Sequence, residues 1–98
     1  MAGLQYYSPT HFKTGQVTAT SGATNVLPFE TDRLSVALVN HGATNCYVGT
    51  ANVTTSNGVL LAGATGTSIA IDTRAAIFVI SVAGNQVISW IADSNPSQ

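Results

Sequence analysis

Apolar and polar residues alternate with a period of two along most of the chain, in short segments separated by Gly, Asn, Ser and Thr. This period is typical of β-strands that are buried on one face, whereas amphipathic helices repeat every 3.6 residues. The pattern predicts eight strands, at residues 16–20, 25–29, 34–40, 46–49, 59–62, 67–72, 76–82 and 86–92. We therefore expect an all-β fold, a small antiparallel β-sandwich or a jelly-roll-like barrel.

Two turns are predicted to close hairpins. Residues 41–45 and 83–85 each join two apolar strands, and each contains a glycine that is free to take a positive φ. Short Gly-containing turns between apolar strands are typical of β-hairpins. We therefore expect the strands on either side of each turn to pair edge to edge.

One face of the strands is expected to form a single hydrophobic core. We predict that this core contains Val36, Leu38, Val48, Ile69, Ile71, Ile77, Val79, Ile88 and Trp90. Truncating a buried Ile or Leu to Ala should cost about 2 to 5 kcal/mol.

Residues 1–15 lack clean alternation and are predicted to form an extended N-terminal arm, which leaves 16–98 as the sandwich domain. The arm carries Tyr6, Tyr7 and Phe12, and large aromatic side chains of this type are enriched at protein interfaces. Free chain ends, in contrast, are usually polar and mobile. We therefore expect the arm to dock on a neighbouring subunit.

The last two predicted strands are apolar on both faces. In the segment 76–82, Ile77 and its neighbours two residues apart form one apolar face, and the opposite face is apolar as well. A second apolar face indicates cover by another sheet or another chain, so we expect a homo-oligomer. The candidate interface residues are Tyr6, Tyr7, Phe12, Phe78, Ile80 and Val82.

Composition narrows the class of function. Charged residues make up 7% of the 98 positions, against about 25% in an ordinary globular chain, and Thr, Ser, Asn and Gly fill 38 positions instead. Lys13, Arg33 and Arg74 are the three basic residues and lie far apart, which excludes a basic nucleic-acid binder. The longest purely apolar run, 75–80, is too short for a membrane-spanning helix, which needs about 20 residues.

Candidate chemistry is scarce. The nearest approach to a catalytic pair is His41 with Cys46, on either side of a turn, but no acid lies nearby to orient the imidazole. A turn histidine and a packed thiol are the ordinary interpretation, so we predict that the protein is not an enzyme. Two distant histidines and one thiol lack metal-ligand spacing, and the segment 63–67 is followed by neither a Lys nor a helix. We therefore expect neither a metal nor a cofactor.

Glu30, Asp32 and Arg33 form a local charge cluster. We interpret it as a solvated turn before the strand at 34–40, with a salt bridge between subunits as the alternative.

The segments 34–49, 53–58, 68–72 and 76–80 together resemble a small β-sandwich module of tailed-bacteriophage virion proteins. The shared pattern is a strand ending in Asn, a Gly-containing turn, Tyr-Val-Gly, a Val-Thr-Thr-Ser loop, a strand ending in Asp and an aromatic-bearing strand. The resemblance covers roughly residues 34–92. The loop before residue 68 departs from it by lacking a Pro and a Glu, and the N-terminal arm has no counterpart.

This resemblance implies a structural role in a virus particle, assembled in the host cytoplasm, since no secretory leader is evident. The first expectation is a capsid decoration or cement protein that binds the major capsid protein or another virion protein. A trimer is favoured, because capsid lattices offer local three-fold positions. The alternative is a carbohydrate-binding or adhesion module of a head or tail fibre, in which exposed Tyr6, Tyr7 or Trp90 would stack on sugar rings.

Overall fold

The computed structural model describes residues 11–31, 33–63 and 67–94. Eight strands lie in these ranges, at all eight predicted places and with bounds that differ by a few residues at most, except at the start of the first. They are β1 (His11–Ala19), β2 (Thr24–Leu27), β3 (Arg33–Asn40), β4 (Cys46–Gly49), β5 (Val59–Leu61), β6 (Ser68–Ile71), β7 (Ile77–Ser81) and β8 (Gln86–Ser94).

The strands form two four-stranded antiparallel sheets that pack face to face. Sheet A has the order β1-β8-β3-β6, and sheet B has the order β2-β7-β4-β5. The chain changes sheet at almost every connection, which is the winding of an eight-stranded jelly roll. The predicted all-β sandwich is confirmed.

Both predicted hairpins are wrong. β3 pairs with β6 and β8 in sheet A, whereas β4 pairs with β5 and β7 in sheet B, so residues 41–45 cross from one sheet to the other. The turn at 83–85 crosses in the same way between β7 and β8. Its Gly84 does take a positive φ of 68°. Two strands that face each other across a core show the same alternation as two strands that pair edge to edge, so the sequence pattern does not separate the two arrangements.

Within the described part of the chain, β4 and β5 are the consecutive strands that pair directly, with Cys46 opposite Leu61. The loop between them is held by Thr54 and Asn57. The Thr54 backbone N–H donates to Asn57 Oδ1 at 2.7 Å, and the Gly58 N–H donates to the Thr54 carbonyl at 3.0 Å.

The core lies between the two sheets. Val36, Leu38, Val48, Ile77, Val79 and Ile88 are buried as predicted. Ile69, Ile71 and Trp90 are only partly buried and pack against this core. The two isoleucines lie on β6, an edge strand of sheet A among the described residues, whereas Trp90 lies on β8 opposite Gly15 of the other edge strand, β1. Cys46 and Leu61 are fully buried members that the prediction omitted.

The predicted arm, residues 1–15, extends too far along the sequence, and the sandwich begins before residue 16. Residues 11–15 belong to β1, which pairs with β8 over nine residues. Gly15 explains the missing alternation, because it faces the core but has no side chain. A Cβ there would lie 2.6 Å from Cζ2 of Trp90, so the indole occupies this space. The remaining arm residues, 1–10, lie outside the described residues and include Tyr6 and Tyr7.

Arg33 corrects the interpretation of the charge cluster as a solvated turn. Its side chain is 2% exposed and donates to the carbonyls of Thr73 at 2.9 Å, Pro28 at 3.0 Å and Ala75 at 2.6 Å. A buried guanidinium is stable only when its donors are satisfied, and here backbone carbonyls satisfy it. Glu30 forms an ion pair with Lys13 instead, at 3.5 Å, and Asp32 lies outside the described residues.

Asn40 closes the opposite end of β3. It is fully buried, and its Nδ2 donates to the carbonyls of Thr44 and Leu61 at 3.0 Å each. Its Oδ1 accepts from the Gly42 N–H at 2.8 Å. The two ends of one strand are therefore tied to the connections that carry the chain between the sheets.

Candidate functional site

The structure does not bring together the one catalytic pair considered from sequence. Cys46 is fully buried and faces the core, whereas His41 is exposed and lies 2.6 Å, Nε2 to Oγ, from Ser89. Burial raises the pKa of the Cys46 thiol above its ordinary value, and a hydrogen bond with Ser81 opposes this shift more weakly. The thiol is therefore protonated at neutral pH and shielded from substrates.

Ser89 and His41 are the nearest approach to catalytic geometry, on the outer face of sheet A. Gln16 adds a third group, since its Nε2 donates to Ser89 Oγ at 3.2 Å. A serine nucleophile needs a histidine that is oriented by a further group, usually a carboxylate. Among the described side chains no carboxylate bonds to His41, and the row lies on an open sheet surface. Gln16, Ser89 and His41 therefore form a row of hydrogen-bonded side chains on the surface of sheet A.

No metal site is formed by the residues that the structure describes, since none of them group into three or more His, Cys, Asp or Glu side chains. No helix within the described ranges is long and apolar enough to cross a membrane.

The outer face of sheet B is the apolar surface that the sequence partly predicted. Phe78 and Ile80 lie on it, half-buried, and Val82 follows directly after β7 with 51% of its surface exposed. Sequence reasoning missed two further members, Tyr47 and Leu60. Tyr47 pairs with Ile80 on one side and with Leu60 on the other, so the three form one row across β7, β4 and β5.

The signal for Tyr47 was available in the sequence. It alternates with the buried Cys46 and Val48, which places it on the opposite face of its strand. Its position beside Ile80 was not available, because it depends on which strands are neighbours in the sheet. Leu60 is 51% exposed and lies on a short edge strand.

Phe12, another predicted interface residue, lies on the other sheet. Phe12 is 65% exposed on the outer face of sheet A, opposite Asp93 of β8. It therefore does not join Phe78, Ile80 and Val82 on one surface. Tyr6 and Tyr7 lie outside the described residues.

Trp90 is not an exposed aromatic platform for sugar. Its indole lies under Gly15 and packs against the core. It also lines a cavity of about 230 Å³ near the Lys13–Glu30 ion pair. A stacking platform needs a ring face open to solvent, so Trp90 does not support the carbohydrate alternative.

A second apolar feature lies at the edge of the sandwich formed by β5 and β6. A cavity of about 330 Å³ opens between these strands, and its lining includes Val59, Ile69 and Ile71. Sequence reasoning placed the two isoleucines in a closed core. The edge is open because β5 and β6 are the outermost described strands on this side of the two sheets. The order of strands in a sheet does not follow from the local sequence pattern.

Comparisons with known proteins find no matching family model and no matching curated protein. Among solved structures, the chain is similar to one from Bacillus endospore appendages, described as a novel family of disulfide-linked pili. The two are 11% identical, with a TM-score of 0.48, over 96% of this chain and 99% of that chain. The bacteriophage resemblance of residues 34–92 therefore stays a prediction.

Proposed function

We propose that the protein is a structural subunit of a virus particle, a capsid decoration or cement protein that binds the major capsid protein or another virion protein. The observation that carries this proposal is the apolar outer face of sheet B. Leu60, Tyr47 and Ile80 form a row across three strands, with Phe78 beside it. Apolar rows of this kind gain free energy when another protein covers them.

The scarcity of charge supports an apolar mode of attachment. The whole chain carries three basic and four acidic residues, and one of the basic ones, Arg33, is buried. Such a surface does not supply an extensive network of ion pairs. A stable contact normally buries about 800 Å² on each partner, and a sheet face together with the N-terminal segment is large enough to provide it.

The proposal includes a homo-oligomer, with a trimer favoured. The bacteriophage resemblance supports a trimer through the local three-fold positions of capsid lattices. Sedimentation of the purified chain tests this part separately. A discrete trimer supports the decoration role, whereas a monomer contradicts this element of the proposal.

The main experiment uses purified particles. We expect mass spectrometry to detect the chain in them, and washes in rising sodium chloride to leave it attached, because salt screens exposed charges but not apolar contacts. Mild denaturant should release it. Absence from particles would contradict the virion assignment, and release by moderate salt alone would contradict apolar attachment.

A carbohydrate-binding or adhesion module is the second candidate, and Phe12 favours it. Phe12 is 65% exposed and lies on the same sheet face as the hydrogen-bonded row of Gln16, Ser89 and His41. An exposed aromatic ring with polar groups nearby is suited to stacking on a sugar. Glycan-array binding that is lost in Phe12→Ala would support this alternative, and no binding to any glycan would remove it.

A further inference from the structure

The edge of the sandwich formed by β5 and β6 leaves part of the core open. Val59 on β5 is 56% exposed although it pairs with the buried Val48. Ile69 and Ile71 on β6 are half-buried although they point toward the core. These side chains line the cavity of about 330 Å³ at this edge.

This cavity has the chemistry of a site for an apolar segment of chain. Its lining contains no charged residue and consists of apolar side chains, Gly49 and two threonines. The outer backbone edge of β6 lies directly beside it, and none of the described strands pairs with this edge in sheet A. An extended segment that pairs with such an edge directs alternate side chains into the adjacent groove.

We propose, building on the assembly role above, that this cavity receives residues 4–8 of a second copy of the chain, added beside β6. This segment reads Leu-Gln-Tyr-Tyr-Ser and carries no charge. In an extended conformation Leu4 and Tyr6 lie on one face, because side chains alternate along a strand. These two side chains enter the cavity against Ile69 and Ile71.

The geometry of sheet A favours a second copy over the same chain. β1 and β6 are its opposite edges, with β8 and β3 between them, so the direct distance is about 14 Å. Crossing it takes at least about four residues, which are those nearest His11. The connection at 72–76 also lies across this end, where Arg33 binds the carbonyls of Thr73 and Ala75. A segment from another copy does not have to cross sheet A, and it does not have to pass the connection at 72–76.

The contact joins two different surfaces, the N-terminal segment of one copy and the β5–β6 edge of the next. Heterologous contacts of this type build rings or open chains of subunits. The cavity is thus the acceptor site of a head-to-tail assembly.

Disulfide cross-linking of the full-length chain tests the proposal. One copy carries Tyr6→Cys and a size tag, and an untagged copy carries Val59→Cys. The matched control pairs the same tagged copy with Val87→Cys, a similarly exposed valine on the outer face of sheet A, 39% exposed. Cys46 is common to all variants and fully buried.

We expect the Tyr6→Cys and Val59→Cys copies to form a mixed disulfide about tenfold faster than the control pair, because docking raises their effective concentration. Equal rates for the two pairs would overturn the proposal. A chain that carries both Tyr6→Cys and Val59→Cys should cross-link between copies. Closure within one chain at every concentration would overturn the choice of a second copy.

A second measurement uses Val59→Lys in the otherwise unchanged chain, with Val87→Lys as its control. We expect Val59→Lys to weaken self-association about tenfold in sedimentation, and unchanged self-association would contradict the proposal. Cross-linking uses the purified chain, so it fails or succeeds independently of the particle experiment. Cross-linking without the chain in particles would contradict the virion role alone, and the reverse result would contradict the acceptor site alone.

Discussion

The outer faces of the two sheets are built from strands with the same period of two, yet they carry different chemistry. On sheet A, Gln16, Ser89 and His41 bind one another through hydrogen bonds. On sheet B, Tyr47 and Ile80 lie side by side without such polar groups between them. A hydrogen-bonded polar row is stable in water, whereas an apolar row gains free energy only when it is covered. This difference is the reason for assigning the proposed contact to sheet B.

Sheet A also exposes apolar side chains, but they are dispersed. Phe12 lies opposite Asp93, and Ile91 lies between Thr14 and Ala37. On sheet B, Phe78 likewise lies opposite a polar residue, Asn25, but Leu60, Tyr47 and Ile80 are direct neighbours in one row. Single exposed apolar residues are ordinary in proteins, whereas continuous patches mark interaction sites. The contrast between the faces thus depends on how apolar residues are arranged rather than on whether they occur.

The largest effect is expected from a substitution in the core, because the core supports the outer faces of both sheets. Leu38 is fully buried, and Leu38→Ala should lower the free energy of unfolding by about 2 to 5 kcal/mol. Ile71→Ala should cost clearly less, because Ile71 is half-buried beside the open cavity. Urea unfolding of both variants measures the difference. Equal losses would contradict the open edge at β6.

The contrast between the faces is tested most directly by placing one charge on each. Leu60→Lys on sheet B should weaken attachment to particles by about 30-fold, or about 2 kcal/mol, as expected for an interface residue of high energetic weight. Val87→Lys on sheet A should leave attachment within about threefold of the unchanged chain. Binding of both purified variants to stripped particles provides the measurement. Equal weakening by the two variants would contradict the assignment of the contact to sheet B.

The polar row on sheet A is expected to contribute a smaller, internal stabilisation. Ser89→Ala removes the oxygen that Gln16 and His41 both contact. Its loss should lower the free energy of unfolding by about 0.5 to 1.5 kcal/mol, with attachment unchanged. Thermal unfolding measures the first effect and particle binding the second. Weakened attachment at unchanged stability would show that sheet A is a contact surface.

The smallest effect is expected from the charges at the boundary between the sheets. Lys13 and Glu30 form an exposed ion pair at 3.5 Å, and Glu30→Gln should change the free energy of unfolding by less than about 1 kcal/mol. Attachment of this variant should show the same weak salt dependence as that of the unchanged chain. A steep salt dependence that disappears in Glu30→Gln would assign the ion pair to the interface.

The local sequence pattern was sufficient to predict the strands, but it was not sufficient to predict which strands pair with each other. Cys46 and Val48 alternate with Tyr47, so the inward and outward faces of β4 follow from the sequence. The error lay in joining β3 to β4 as a hairpin. Hydrogen bonds made by Asn40 hold the turn between these strands in its crossing path, and they depend on Leu61, a residue distant in sequence.

The candidate site shows the same limit. Phe78 and Ile80 could be assigned to an outer face from their alternation with Ile77 and Val79. Phe12 was grouped with them because it is aromatic, yet it belongs to the other sheet. Gly15 made the start of β1 hard to recognise, since it carries no side chain to continue the pattern and its space is filled by Trp90.

The sequence by itself determined the eight strands, the face of each strand that turns inward and the scarcity of charge, because all three follow from the order and type of neighbouring residues. Tertiary structure alone decided which strands pair, that Arg33 is buried, that Leu60 joins Tyr47 and Ile80, and that the edge at β6 stays open. The physical reason is the antiparallel ladder. Its hydrogen bonds join backbone groups that every residue carries, so strand partners are selected by packing between distant segments rather than by local sequence.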